Sequence, residues 1–302
     1  MSNNVTSRWF DNNSNETGNT THIDWYRVLP FVLLHLAALS VFWVGFSWIA
    51  FWVAVALYVI RMFAITGFYH RYFSHRNFKT SRWLQFVFAF IGTTSAQRSP
   101  LWWASHHRAH HVHSDTERDI HSPNRQGFIW SHMLWFLSDK NFTTDLSRIK
   151  DFAKYPELRW LDRFDIVPPV ILGFALFGTG WLMEIYYPEL GTSAGQMLVW
   201  GMFISTIVLY HATYTINSLC HQFGSRRFNT KDNSRNNFWL AMITFGEGWH
   251  NNHHYFPATV RQGFKWWEID LTFYLLKIMS WLGLVWDLQP IPERIKKEIE
   301  AC

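Results

Sequence analysis

The sequence predicts an all-α integral membrane protein, in which four transmembrane helices carry a cytosolic helical cap with a His-rich dimetal site. Three observations lead to this prediction. The 302-residue chain contains long apolar stretches, its Lys and Arg residues are concentrated between and after these stretches, and most of its 16 histidines fall in short clusters. Charged residues make up only 16% of the chain, against about 25% in typical soluble proteins.

Four apolar stretches are long enough to cross a bilayer, whose hydrocarbon core needs about 20 helical residues. The first two adjoin each other, and because their combined length exceeds one span we expect a turn at residues 45–48. The alternative, four buried helices of a soluble protein, is disfavoured because runs of this length with so few charges are rare outside membranes. The predicted spans cover residues 28–46, 47–68, 164–183 and 195–216.

Charge placement predicts the orientation of these spans. The segment 69–163 holds fourteen Lys and Arg residues and the segment 217–302 holds ten, whereas the connections 45–48 and 184–194 hold none. By the positive-inside rule, we expect both large segments and both termini to face the cytoplasm. The formal net charge of +5 is modest, and we expect the lipid bilayer as a partner and no nucleic acid.

The spans also divide the chain into three parts. Residues 1–24 are polar and Asn-rich and are expected to form a disordered leader. Residues 25–290 form a single membrane domain, whose cytosolic cap consists of residues 69–163 and 217–290. Residues 291–302 are expected to form a C-terminal tail.

Four short clusters contain most of the histidines. The sequences "HHRAHH" and "GEGWHNNHHYFP" share the spacing His-x-x-His-His, which places three rings on one helical face because positions i, i+3 and i+4 are neighbours. Asn217 and His221 are also one turn apart. His70 and His75 are five apart, do not share a face of a regular helix, and need a helix end or a turn. The candidate ligands are His70, His75, His107, His110, His111, His221, His250, His253 and His254.

Nine imidazoles are too many for one metal ion, whereas two ions would take four or five each and leave room for water or oxygen. Imidazole binds iron, zinc and copper alike, but a structural zinc site normally has four ligands, often thiolates. Two nitrogen-rich sites beside apolar spans indicate redox chemistry, for which iron is the natural candidate. Acceptors for the second ring nitrogens are expected among Asp115, Glu117, Asp119 and Glu247.

The combination of "HRYFSH", "HHRAHH", "NSLCHQFG" and "GEGWHNNHHYFP" resembles the membrane-bound fatty acyl desaturases, specifically the Δ9, stearoyl-CoA desaturase-like branch. The likeness runs from about residue 28 to residue 290. It implies that the nine histidines hold a non-haem di-iron centre, two iron ions, which Asn217 joins through a water. It also implies an enzyme that uses oxygen to insert a cis double bond into a saturated acyl chain.

The resemblance further assigns five residues to the substrate tunnel. Gln97, Trp103 and Thr213 match the residues that shape its kink, and Tyr58 and Met62 match its far end. Animal relatives carry a small residue at the position of Met62, so this side chain predicts a preference for shorter acyl chains. Ordinary core packing is the alternative interpretation for all five.

Other features depart from the family. Animal acyl-CoA members carry N-D-x-x-E-W-x-R-D before the second cluster, where this chain has "RSPLWWASH". The acyl carrier is therefore CoA, acyl carrier protein or a phospholipid. No fused cytochrome b5-like domain follows the last cluster, so we expect a separate electron donor of the ferredoxin, flavodoxin or cytochrome b5 type, with its reductase. We expect a multi-pass protein of a bacterial inner membrane.

Two other functions remain open from these clusters. A hydroxylase of the same superfamily uses the same metals but adds oxygen to carbon, so mass spectrometry distinguishes a gain of one oxygen from a loss of two hydrogens. A non-enzymatic membrane metal-binding or transport protein usually places its ionisable ligands midway through the bilayer. The histidine clusters lie outside the predicted spans, which disfavours transport.

Overall fold

The computed structural model describes residues 7–14, 18 and 20–301. These residues are mostly helical, with strands β1 (Lys79–Thr80) and β2 (Val285–Trp286) paired antiparallel. The α-helices are α1 (Ser7–Phe10), α2 (Trp25–Ala38), α3 (Val41–Val44), α4 (Trp48–Phe63), α5 (Arg82–Thr93), α6 (Pro100–His113), α7 (Pro123–Gln126), α8 (Lys150–Ala153), α9 (Pro156–Arg163), α10 (Val167–Tyr186), α11 (Ala194–Leu198), α12 (Ser205–Ser218), α13 (Phe238–Ile243), α14 (His250–Tyr255), α15 (Leu271–Trp281) and α16 (Glu293–Ala301). π-helical segments cover Ala64–Ser74, Trp130–Leu134 and Val199–Ile204, and 3-10 turns cover Asn12–Ser14, Trp135–Leu137, Asp139–Asn141, Leu146–Ile149, Pro188–Leu190 and Leu219–His221.

Four helical stretches of the described residues are long and apolar enough to cross a membrane. They are span 1 (Trp25–Val44), span 2 (Trp48–Ser74), span 3 (Val167–Tyr186) and span 4 (Ala194–His221). The predicted fold class, all-α with four spanning helices, is confirmed. Spans 2 and 4 continue beyond the predicted stretches because polar, histidine-bearing turns prolong each helix after its apolar residues end.

Spans 2 and 4 form the centre of the molecule. In the most apolar window of each helix, 44% of residues are buried in span 2 and 56% in span 4, but only 17% in spans 1 and 3. Spans 1 and 3 both pack against span 4. The close approach of span 3 depends on Gly180, where a Cβ atom would lie 2.7 Å from the Cα of Ala194. Small residues allow helix backbones to approach in this way within membranes.

Arg61 is a buried charge inside span 2, with 1% of its surface exposed. Its guanidinium donates to the hydroxyls of Thr206, at 2.8 Å, and Ser205, at 2.5 Å, and to the carbonyl of Leu57 at 3.1 Å. Because a charged side chain at this depth is costly unless its donors are satisfied, these bonds tie span 2 to span 4.

Both terminal segments contact the body of the protein where they are described. In the predicted leader, Trp9 stacks on Tyr26 with 4.6 Å between ring centroids. Residues 1–6, 15–17 and 19 lie outside the described residues, so the disorder predicted for 1–24 stays a prediction. In the predicted tail, α16 buries Ile295 and Ile299 in an apolar cluster with the cap.

Candidate metal centre and adjoining cavity

The candidate ligands come from four elements that meet at the cap-side ends of spans 2 and 4. Two of these elements are α6 and α14, whose His-x-x-His-His spacing places three rings on one face, as expected. The others are the π-helical end of span 2 and the 3-10 turn that ends span 4. Helix α6 supplies His107, His110 and His111, and α14 supplies His250, His253 and His254. The π-helical end of span 2 supplies His70 and His75, and the 3-10 turn supplies His221.

π-helical geometry explains how His70 and His75 meet. The segment Ala64–Ser74 is a π-helix, in which hydrogen bonds span five residues, and the backbone N–H of His75 donates to the carbonyl of His70 at 3.2 Å. The two ring centroids are 4.9 Å apart. His75 does cap the helix end, as expected, but the wider turn was not anticipated from the 3.6-residue period.

The nine histidines form two groups. Group A contains His70, His75, His107, His111 and His253, and group B contains His110, His221, His250 and His254. Within each group, one ligand atom from every ring lies within 4.8 Å of the others. Neighbouring Nε2 atoms come as close as 2.8 Å, between His75 and His107. Helices α6 and α14 each contribute to both groups, so the two groups share the same supports.

Carboxylates hold the Nδ1 side of four rings. A ring whose Nδ1–H donates to a carboxylate presents the lone pair of its Nε2 to a metal. The pairs are Asp119 with His110 at 3.1 Å, Asp115 with His221 at 3.0 Å, Asp232 with His254 at 2.6 Å, and Glu247 with His70. Of the four acceptors considered from sequence, Glu117 is the exception and lies exposed on the surface.

His254 gives the clearest indication that a metal fits this site. Its Nδ1 faces Asp232, and its buried Nε2 has no hydrogen-bond partner among the described residues. Burial lowers the pKa of His254 to about 4, although the hydrogen bond with Asp232 opposes this change. The ring is therefore neutral, and leaving its Nε2 unsatisfied costs about 1–3 kcal/mol. A metal bound in group B removes this cost.

Three further rings are also held in the neutral state that a metal requires. Burial, together with repulsion between neighbouring rings, holds the pKa of His107, His250 and His253 well below the ordinary value. The pair of His110 and Asp119 differs: burial alone would lower the pKa of His110 and raise the pKa of Asp119, but the charges and hydrogen bond of the pair outweigh burial and shift both pKa values the other way. Neutral imidazoles at His107, His250 and His253, with carboxylates behind other rings, match the protein side of a histidine-ligated metal site.

Arg71 anchors the carboxylate of Glu247 from behind. The side chain is fully buried and donates to Glu247 at 3.1 Å, to Asp270 at 3.1 Å and to the carbonyl of Val260 at 2.8 Å. Gln262 also donates to Glu247, at 3.1 Å. These contacts fix the carboxylate that orients His70.

The asparagines of "GEGWHNNHHYFP" hold α14 in place. The side-chain oxygen of Asn251 accepts from the backbone N–H groups of Arg227 and Phe228, at 2.9 and 2.8 Å. Asn252 donates to the carbonyl of Gln262 at 2.9 Å. Gly248 lies two residues before α14. Only glycine fits at this position, because a Cβ atom there would lie 2.1 Å from the backbone nitrogen of Ala241.

A cavity of about 660 Å³ adjoins both histidine groups. Gln97, Trp103 and Thr213 line it, as does Asn217. Gln97 donates to the hydroxyl of Thr213 at 3.0 Å, and Trp103 stacks on His107 with centroids 4.9 Å apart. Three of the predicted substrate residues therefore line the cavity, and one of them, Trp103, also contacts a candidate metal ligand.

Tyr58 and Met62 are placed differently. Neither belongs to the cavity lining. The hydroxyl of Tyr58 donates to the carbonyl of Ile243 at 2.5 Å, and Met62 is fully buried in the main apolar core. Their predicted role at the far end of a tunnel stays a prediction.

Comparison with known proteins identifies the family. The family model "Fatty acid desaturase" matches residues 46–279. The chain is 38% identical to an sn-1 stearoyl-lipid 9-desaturase of Anabaena variabilis, over 90% of this chain and 96% of the relative. It is also 38% identical to an acyl-CoA C20 Δ5-desaturase of Anemone leveillei (83% and 77%) and to Δ9 acyl-lipid desaturase 1 of Arabidopsis thaliana (81% and 77%). With the histidine groups beside an apolar cavity, these matches show that the chain belongs to the fatty acid desaturase family and is an acyl desaturase.

Proposed function

We propose that this desaturase holds two iron ions at histidine groups A and B and inserts a cis double bond at the Δ9 position of a saturated acyl chain. The observation that carries the proposal is the pair of histidine groups beside one apolar cavity. The relatives named as 9-desaturases support the position of the double bond.

Charge balance supports two divalent ions. Four carboxylates contact the candidate ligands, Asp115, Asp119, Asp232 and Glu247, and together they carry a charge of −4 when ionised. The further pair of Arg71 and Asp270, 2.9 Å apart, is neutral in sum. Because buried charges are stable only when compensated, two ions of charge +2 match the carboxylates.

The protein's contribution follows from the side chains around the cavity. Iron bound by the nine histidines, with Asn217 joined through a water, would supply the oxidising power that an unactivated methylene requires. Acid–base catalysis alone cannot remove its hydrogens, because a methylene has no acidic proton. The apolar wall excludes water, and Gln97, Trp103 and Thr213 fix which carbon pair lies beside the histidines.

Carrier, electron donor and orientation complete the proposal. The acyl chain is carried by CoA, acyl carrier protein or a phospholipid, and electrons come from a separate ferredoxin, flavodoxin or cytochrome b5 type donor with its reductase. Four spans place both termini on one side of the membrane, and the basic residues of the cap favour the cytoplasmic side. We place the protein in a bacterial inner membrane.

Expression in a desaturase-deficient host tests the function directly. Lipids of the host should gain cis-Δ9 acyl chains, located by mass spectrometry of derivatised double bonds. His110→Ala should abolish this product, whereas the matched control His113→Ala, on the same helix but outside both groups, should keep it. A product heavier by one oxygen would instead identify a hydroxylase, and a double bond at another carbon would refute the Δ9 assignment.

A further inference from the structure

The cavity reaches the membrane-facing surface between spans 1 and 3. Its lining includes Phe31 and Leu34 of span 1 and Val170 and Phe174 of span 3. Phe174 lines the cavity and yet is 75% exposed, and Val170 is 44% exposed. Side chains that are both lining and exposed mark an opening, which here lies at the depth of the spanning helices.

The packing of the spans accounts for this opening. Spans 1 and 3 each pack against span 4, and the cavity lies between them, with Met202 and Tyr210 of span 4 in its lining. The same cavity also includes His107, His250 and Asn217 beside the candidate metal site. A continuous apolar path therefore runs from the surface that faces lipid to the histidines.

We propose that this cleft is a lateral entrance through which an acyl chain of an intact membrane glycerolipid reaches the histidine groups without leaving the bilayer. The chemistry at its inner end rests on the proposed function, whereas the binding of lipid in the cleft does not.

The lining favours a lipid tail as the occupant. Phe31, Leu34, Val170 and Phe174 offer hydrocarbon and aromatic surface at bilayer depth, where a lipid tail enters without exposure to water. On the cap side the lining becomes polar, and Arg98 pairs with Asp165 at 3.3 Å. This arrangement places the polar headgroup at the membrane surface while its acyl chain lies along the cleft.

Two plug variants with matched controls test the entrance. Gly173 lines the cleft, and a Cβ atom there would have Cδ1 of Leu198, 3.7 Å away, as its nearest neighbour, so Gly173→Leu fills space with little clash. Gly178→Leu is the control on the same helix, since nothing lies within 4 Å of its Cβ position and it is not part of the lining. Leu34→Trp plugs the cleft from span 1, with the exposed Leu33→Trp as its control.

The probe is phosphatidylcholine with a diazirine in one acyl chain, presented in proteoliposomes of the purified iron-loaded enzyme. After irradiation, peptide mapping measures labelling at the interior positions Gln97, Trp103 and Thr213. We expect labelling there in the unmodified protein, at least a fivefold loss in both plug variants, and less than a twofold change in both controls. A diazirine acyl-CoA added from the aqueous side serves as the comparison.

The outcomes separate the entrance from the proposed function. Interior labelling that is absent in the unmodified protein, seen only with acyl-CoA, or equal in plugs and controls overturns the entrance, even where double bonds form normally. Interior labelling that the plugs abolish supports the entrance, even where no double bond forms, and in that case the proposed function fails instead.

Discussion

Replacing Asp232 with Asn tests whether the two histidine groups hold separate metals. Asp232 accepts the Nδ1–H of His254, a member of group B, at 2.6 Å. Its other oxygen accepts from the backbone and hydroxyl of Ser234, at 3.0 and 2.5 Å. Asn has the same shape and keeps an oxygen for Ser234, so the loop should fold normally. The amide NH2 then faces the Nδ1–H of His254, so both the hydrogen bond to His254 and the negative charge behind it are lost.

The size of the effect follows from that hydrogen bond. Carboxylates that orient a metal-binding histidine are worth about 10- to 100-fold in metal affinity, which corresponds to about 1.4–2.8 kcal/mol. The side chain of Asp232 is only 10% exposed, so solvent screens this interaction little. Group A is held through Glu247 instead, and its affinity should change much less.

Iron content during titration with a chelator measures the difference. Purified Asp232→Asn protein should lose one iron at a 10- to 100-fold lower chelator concentration than the unmodified protein, and the second iron at nearly the same concentration. Asp287→Asn is the control, because that side chain is 52% exposed and pairs with Lys79 on the surface. Loss of both ions together, or no change in either, would refute the two-group model.

Three further substitutions extend the test. His110→Ala removes a candidate ligand of group B and should abolish desaturation while the protein stays in the membrane fraction; full activity in a product assay would exclude it as a ligand. Met62→Ala should shift products toward longer chains and, because Met62 is fully buried, cost about 2–5 kcal/mol of stability; gas chromatography and thermal melting measure the two effects, and an unchanged product profile removes the chain-length idea. Arg71→Met leaves Glu247 and Asp270 without their cation and should cost about 3–5 kcal/mol; an unaltered melting temperature would contradict the role given to this network.

Hydropathy and turn residues in the sequence predicted the number of spanning helices and the turn between the first two. Hydropathy identified all four candidate spans because a bilayer requires long apolar helices, and the segment from Gly45 to Trp48 marked the turn where α4 begins. The helices of spans 2 and 4 continue past the apolar stretches predicted from sequence, since His70, His75 and His221 lie on turns that hydropathy counts as polar. The helix continues there because other parts of the chain bury those turns.

In the candidate site, too, the sequence predicted what helical spacing determines and missed what tertiary packing determines. Spacing within α6 and α14 brought their rings onto common faces, as helical geometry requires. The contact between Asp232 and His254, 22 residues apart, had no signal in spacing. Arg71 and Asp270, separated by 199 residues, had none either. Such pairs arise from tertiary packing, which single-sequence patterns do not contain.

The π-helical end of span 2 determines where the rings of His70 and His75 lie. On a regular helix, His75 would point about 140° away from His70, because five residues advance by about 500°. The π segment Ala64–Ser74 brings both rings into group A, and all eleven of its residues are buried. π-helices are rare and mostly short, so the burial of this segment is needed to stabilise it. A spacing of five residues between histidines at the end of an apolar span is therefore compatible with π geometry, in which both rings face the same side of the helix.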